Sequence, residues 1–217
     1  MPSSSGRFGG LLVVRDDFYS DPDAVRRMAL SMQYHEPPGI TGFRTDKVYH
    51  ERGTRRRLEL ILGTKITRWD DDPDEGNGIF YHGFSGGARK EIPGVHYDDP
   101  EDDITVLIYL TPGLAPEYGT SLWQHKSTGL TRAPTQADAR RLGMTLTRLR
   151  ERLEKDSENR RRWIEVDRAG HKYNRMVAYA SGMLHSASRH FGSSLATGRL
   201  YQTFRLGVDW SSCRICK

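Results

Sequence analysis

At 217 residues the chain is long enough for one domain of ordinary size, which buries roughly 70% of the surface its unfolded form exposes. Its 36% hydrophobic, 10% aromatic and 28% charged residues describe a globular protein with a heavily ionised surface. No apolar run approaches the roughly 20 residues that span a bilayer, and Met1 to Gly6 lack the basic-then-apolar pattern of a leader, so no membrane role and a cytoplasmic location are expected. The formal charge of +5 is densest at Arg55–Arg57 and Arg160–Arg162, runs without interleaved stacking aromatics that fit solvated helix faces, so nucleic acid is not an expected partner.

In chain order, Leu11 to Val14 is an apolar run suited to a strand, and Asp21 before Pro22 starts a helix that reaches about Met32. A second helix is predicted over Thr54 to Leu62, with Leu58, Leu60, Ile61 and Leu62 as its apolar content and Gly63 as its stop. From Ile66 to His125 the texture changes to short strands between Gly, Pro and Asp clusters: Gly78 to Phe84, Gly94 to Asp98, Ile104 to Leu110 and Thr120 to His125. Thr135, with Asp138 three residues on, opens a third helix over about 135–155 whose Leu142, Leu146, Leu149 and Leu153 share one face. Strands over Asn174 to Ser181 and Gly198 to Val208 complete the pattern. Cys213 and Cys216, the two cysteines, form a C-x-x-C at the end of the chain that reads as an inert tail.

Three segments carry chemistry. On a strand, His96 and Asp98 of Val95-His96-Tyr97-Asp98 point to one face with Cα atoms about 7 Å apart, which suits two ligands of one metal. The same tripeptide, followed by Asp99, Asp102 and Asp103, also reads as a plain acidic loop. Met176 to His185 is a mostly apolar strand and turn that delivers a histidine at its end. Arg199 then opens the last strand, and a guanidinium pointing into a barrel requires an anion. Two histidines and one carboxylate on one face of octahedral iron leave three positions for a bidentate co-substrate and O2. Arginine suits the far carboxylate of such a co-substrate through paired charge-assisted hydrogen bonds.

This order of H-x-D, distal His and Arg resembles the Fe(II)/2-oxoglutarate-dependent dioxygenases, including their prolyl-hydroxylase branch. Val14 to Arg26, Gly42 to Thr45, Gly119 to Lys126 and Asn174-Arg175 extend the resemblance to a small bacterial subfamily over nearly the whole chain. The resemblance implies an α+β, mainly β fold: a double-stranded β-helix (a jelly-roll or cupin-like barrel) with flanking helices. Residues 1–217 would form one oxygenase domain, with 1–65 as N-terminal support and 66–210 as the barrel with its helical insertion. It implies Fe(II) on His96, Asp98 and His185, 2-oxoglutarate anchored by Arg199 with help from Tyr109, and O2 as oxidant. Because Asp98 is present, hydroxylation, desaturation or cyclisation is expected rather than halogenation. The substrate would be a small molecule or a peptide, such as a natural-product intermediate.

Alternatives stand beside these assignments. His190 with Arg205 repeats nearly the spacing of His185 with Arg199, so the distal pair could be shifted, and Arg205 is otherwise accounted for by Asp209 or the surface. Trp123 and His125 are either ordinary sheet residues or, with Tyr97, substrate contacts. His35, His50, His82 and His171 are expected at the surface, and Arg44 to His50 and Pro112 to Tyr118 are the segments available as lids. Two other functions use the same residues: a zinc hydrolase on the His/Asp set, and a non-catalytic module binding through the basic stretch from Arg140 to Arg162.

Overall fold

Period-two alternation in the apolar segments produces two antiparallel sheets in the computed structural model, which describes residues 11–36, 42–72, 76–83, 94–99 and 101–212. The strands in chain order are β1 (Leu12–Arg15), β2 (Tyr34–His35), β3 (Phe43–Thr45), β4 (Ile66–Arg68), β5 (Ile79–Gly83), β6 (Ile104–Tyr109), β7 (Thr120–His125), β8 (Trp163–Ala169), β9 (Met176–Ala180), β10 (His185–Ala187) and β11 (Arg199–Val208). The larger sheet runs β1-β9-β6-β11-β5-β3-β2, with β4 paired to β11, and the smaller runs β10-β7-β8. The fold is therefore mainly antiparallel β with a few helices, as expected.

Alternation assigns the two faces of the larger sheet. Ile104, Val106 and Ile108 of β6, Met176 and Ala178 of β9, and Leu200, Phe204 and Leu206 of β11 belong to one core, shared with helices α1 (Pro22–Ser31) and α2 (Thr54–Leu62). Residues between them, among them Leu107, Tyr109, Val177 and Tyr179, face the other way and pack with Leu122 and Met183. Both faces of β6 are thus buried, which explains its unbroken apolar run.

The helices begin and end where their caps dictate. Asp21 accepts a hydrogen bond from the Ala24 N–H at 2.8 Å with Pro22 in the first turn, and Gly63 closes α2 in the left-handed conformation. Leu58 and Leu62 are buried, whereas Leu60 points to solvent. The third predicted helix is two, α3 (Gln136–Arg141) and α4 (Leu146–Asp156). Left-handed Gly143 breaks it and Thr145 caps the new start, a break that leaves the leucine face intact. Leu142, Leu146, Leu149 and Leu153 still converge on one core, with Trp123 and Trp163 of the smaller sheet and Leu184 just before β10.

Two further differences bear on the site. The segment predicted as a strand over Gly94 to Asp98 makes one isolated bridge, His96 to His185. Strand β8 escapes the sequence pattern because as an edge strand it exposes Asp167, Arg168 and even Ile164 and Val166. The Cys213/Cys216 pair lies outside the described residues. Among the described residues no helix is long and apolar enough to cross a membrane.

At the start of β7 the chain passes so close to β8 that a Cβ on Gly119 would overlap the Ala169 carbonyl oxygen. Gly119→Ala should therefore destabilise the protein by about 1–3 kcal/mol, measured by denaturant unfolding.

Candidate metal centre

The site begins with backbone hydrogen bonds. His96 N–H donates to the His185 carbonyl at 2.9 Å and His185 N–H returns the bond to His96 at 2.8 Å. This reciprocal pair attaches the H-x-D segment to the edge of the smaller sheet, while the Asp98 N–H donates to the Ser181 carbonyl at 2.9 Å. His96, Asp98 and His185 are thereby brought together, each offering one ligand atom within 4.8 Å of the others.

Both imidazoles are oriented in the same manner. Nδ1 of His96 lies 3.0 Å from the Gly94 carbonyl and Nδ1 of His185 lies 2.9 Å from that of Met183. A carbonyl only accepts, so each Nδ1 carries the proton and each Nε2 keeps its lone pair. Those Nε2 atoms face the carboxylate, at 4.0 Å from Asp98 Oδ1 and 3.6 Å from Oδ2 respectively. Burial pushes the His185 imidazole down to about 4, which keeps it neutral and ready to act as a donor at physiological pH.

Burial works against ionisation of Asp98, but the charges of His185, His96 and Arg205 and a 2.8 Å hydrogen bond from Thr105 outweigh it and lower its pKa. Since His185 is neutral above about pH 4, Arg205, at 3.7 Å, and Thr105 provide the standing support at neutral pH. Thr105 is itself 2.9 Å from Ser181 Oγ, so a short hydroxyl relay fixes the carboxylate. Neither hydroxyl was marked by the sequence. The signal was there in the strand pairing, since Thr105 lies opposite Arg205 across β6 and β11.

A cavity of about 530 Å³ opens in front of the three groups. Strand β11 contributes Arg199, Tyr201, Thr203 and Arg205 to its wall, alternate residues of one face. Arg199 is 4% exposed. Its Nη2 donates to Thr120 Oγ1 at 3.2 Å and its guanidinium lies over the Tyr201 ring at 4.5 Å, but its Nε is buried without a hydrogen-bond partner among the described residues. Arg205 meets Asp98 and Asp102, and Asp209 is not its partner. Tyr109 is fully buried and does not line the cavity; the Arg199 guanidinium lies over its ring at 5.6 Å, and its hydroxyl, 2.7 Å from Thr120 Oγ1, shares that threonine with Arg199.

The remaining candidates separate. Tyr97 lines the cavity, as does His190. Trp123 and His125 do not: Trp123 donates to Ser186 Oγ at 3.0 Å within the core under α4, and fully buried His125 is bonded to Thr128 and Asp156. Alternation on β7 places both on the side facing the helices. His82 and His171 are buried rather than at the surface, bonded to the Ser194 and Thr111 carbonyls. Neither Arg44 to His50 nor Pro112 to Tyr118 lines the cavity; its outer wall includes Glu154, Ser157 and Glu158 at the end of α4.

The fold and site define an antiparallel β protein with a cavity holding a two-histidine, one-carboxylate set beside a buried arginine. The chain belongs to the family described as a family of unknown function, DUF6445, whose model matches residues 88–205, over half of the chain. No curated protein matches it significantly. Among solved structures it is similar to HygX from Streptomyces hygroscopicus with nickel and 2-oxoglutarate bound, with a TM-score of 0.51 and 12% identity over 94% of this chain and 84% of that one. It is more distantly similar to YcfD, a ribosomal oxygenase from Escherichia coli in complex with cobalt and succinic acid, with a TM-score of 0.37 and 11% identity over 94% of this chain and 50% of that one. For TqaL, an Fe(II)/α-ketoglutarate-dependent dioxygenase, the TM-score is 0.38 at 12% identity, over 94% of this chain and 86% of that one. The chain thus shares its overall fold with HygX.

If Thr105 aims Asp98 at an ion, Thr105→Val should weaken divalent-metal affinity by about 10- to 100-fold with little change in melting temperature. Titration with Co(II), followed by its visible absorption, measures this directly.

Proposed function

We propose that the chain is a non-haem Fe(II)- and 2-oxoglutarate-dependent oxygenase whose two sheets form a double-stranded β-helix. His96, Asp98 and His185 would hold the iron, and Arg199 the far carboxylate of 2-oxoglutarate. The observation that carries this reading is the buried guanidinium of Arg199, whose Nε has no hydrogen-bond partner among the described residues and which lines the same cavity as the His/Asp/His set. A buried charge without a counter-ion is strongly unfavourable, and a dicarboxylate that reaches both Arg199 and a metal removes the penalty. When bound, Fe(II) and 2-oxoglutarate supply the oxidation of an unactivated C–H bond by O2, with succinate and CO2 as co-products.

The chain's own residues do the rest. The backbone carbonyls of Gly94 and Met183 hold the imidazole tautomers, while Thr105 and Arg205 keep Asp98 ionised and aimed. Thr120 links Arg199 to Tyr109 and so fixes the guanidinium plane. The phenols of Tyr201 and Tyr179, raised by burial, stay protonated and donate no charge to the cavity. The substrate would be hydroxylated, desaturated or cyclised, and an amino acid, a peptide or another natural-product intermediate fits the volume. A zinc hydrolase would use the same three ligands but gives the Arg199 guanidinium no counter-ion. A basic binding module leaves the whole cavity without a role.

Anaerobic addition of Fe(II) and 2-oxoglutarate should produce the weak visible charge-transfer band of the chelate. A wild-type protein without that band, or a His96→Ala/Asp98→Ala variant that keeps it, would contradict the assignment. Arg199→Ala should raise the 2-oxoglutarate concentration for half-saturation by about thirtyfold or more while sparing metal binding. The same loss from Arg205→Ala, with Arg199→Ala unaffected, would move the anchor to Arg205.

A further inference from the structure

Asp98 stands at one end of a run of four alternating charges. Arg205 Nη2 lies 3.7 Å from Asp98 Oδ1, and Arg205 Nη1 lies 3.9 Å from Asp102 Oδ2. The other oxygen of Asp102 accepts a hydrogen bond from Arg68 Nη2. The order Arg68, Asp102, Arg205, Asp98 thus leads from β4 to the His/Asp/His set. The side chains of Asp102 and Asp98 are 7% and 9% exposed, so water and salt screen these attractions little.

The distances decide what the run can do. Both gaps around Arg205 are short enough for attraction and longer than a hydrogen bond, so its guanidinium is suspended between two carboxylates and closed on neither. Thr105 donates to Asp98 Oδ2 at 2.8 Å, which leaves Oδ1 without a hydrogen bond among the described residues. An arginine that closes on a carboxylate in a fork takes both of its oxygens, and a metal ion needs one of them. The far end of the run is fixed. The Asp102 N–H donates to the Asp99 carbonyl and the Asp103 N–H to the Leu206 carbonyl, each at 3.0 Å. The Asp103 carboxylate in turn accepts from the Val208 N–H and from Trp210 Nε1, each at 2.8 Å. Arg68 reaches Asp102 because β4 lies close against β11 at Gly207, where a Cβ would meet the Arg68 Cβ at 3.0 Å.

We propose that Asp102, held by Arg68, is a positioning residue that restrains Arg205: it keeps the guanidinium near enough to support the charge of Asp98 and far enough away to leave Oδ1 to a metal ion. The inference rests on the metal centre of the oxygenase reading and makes no use of 2-oxoglutarate. It gives β4, which supplies no residue to the cavity wall, an influence on metal binding.

The test is a double-mutant cycle read by Co(II) titration of the purified chain. Asp102→Asn should weaken Co(II) binding by about tenfold, because Arg205 then closes on Asp98. In an Arg205→Met background the same change should alter the affinity by less than about twofold, since no guanidinium is left to close. An equal loss in both backgrounds overturns the proposal, because it makes Asp102 a source of field or of fold and not a restraint. No loss in either background overturns it as well. Arg68→Met provides a second reading should Asp102→Asn fail to fold: Asp102 is then left to Arg205 alone and draws it off Asp98, so Co(II) binding should hold or tighten. A tenfold weakening in Arg68→Met contradicts the restraint. A wild-type chain that binds no Co(II) overturns the metal centre and this inference with it, whereas Co(II) binding by wild type that Asp102→Asn leaves unchanged counts against Asp102 alone.

Discussion

Everything at this site depends on two backbone hydrogen bonds, those exchanged by His96 and His185. They form the bridge between the H-x-D segment and β10, and with the bond from the Asp98 N–H to the Ser181 carbonyl they give the proximal and distal ligands a common frame. Main-chain groups suit this task because they are insensitive to side-chain replacement and because, once buried, they must find partners. The same economy recurs in the imidazoles, where each Nδ1 is satisfied by a carbonyl two residues earlier in its own segment. A local turn thus sets the tautomer, and a distant bridge sets the position.

Around that frame the polar groups of the cavity fall into two sets of opposite character. Asp98 is surrounded by compensation: a guanidinium and a hydroxyl, with the two imidazoles turned toward it. Arg199 is surrounded by tyrosine rings and one threonine, with no carboxylate partner among the described residues. The first set explains itself, since it keeps a buried carboxylate ionised and directed. The second is incomplete as it stands, and a folded protein rarely maintains a buried charge in that condition unless a ligand completes it. That contrast within one cavity favours a dicarboxylate co-substrate over simple metal storage or hydrolysis.

The helical insertion between β7 and β8 has a different relation to the site. It supplies no metal ligand, but its last turn is bound on one side to the H-x-D segment and on the other to His125 and Trp163. His125 is therefore a support rather than a contact, acting through Asp156 on the position of the outer wall. A packed helix end of this kind can vary in its exposed residues without disturbing the core beneath.

Several features were legible in the residues themselves. Helix caps at Asp21, Gly63 and Thr135, the buried run of β6 and the alternation of β7 and β11 follow from local chemistry, because turn geometry and side-chain period are properties of a few neighbouring residues. The grouping of His96, Asp98, His185 and Arg199 was also readable, since each sits at the edge of an apolar segment and the side chains of Asp98, His185 and Arg199 are costly to bury. What sequence could not decide was which partner each group meets. Arg199 and Arg205 are six residues apart on one strand and so share a face; only the approach of Asp98 and Asp102 to one of them, and of Thr120 and the tyrosines to the other, tells them apart. Likewise Trp123 and His125 follow the metal segment closely in sequence yet face the helices, because the face of β7 is set by its register with β8 and β10. Sequence determined which residues carry charge and period; tertiary structure decided their neighbours, because a buried charge is defined by contacts that arrive from strands far apart along the chain.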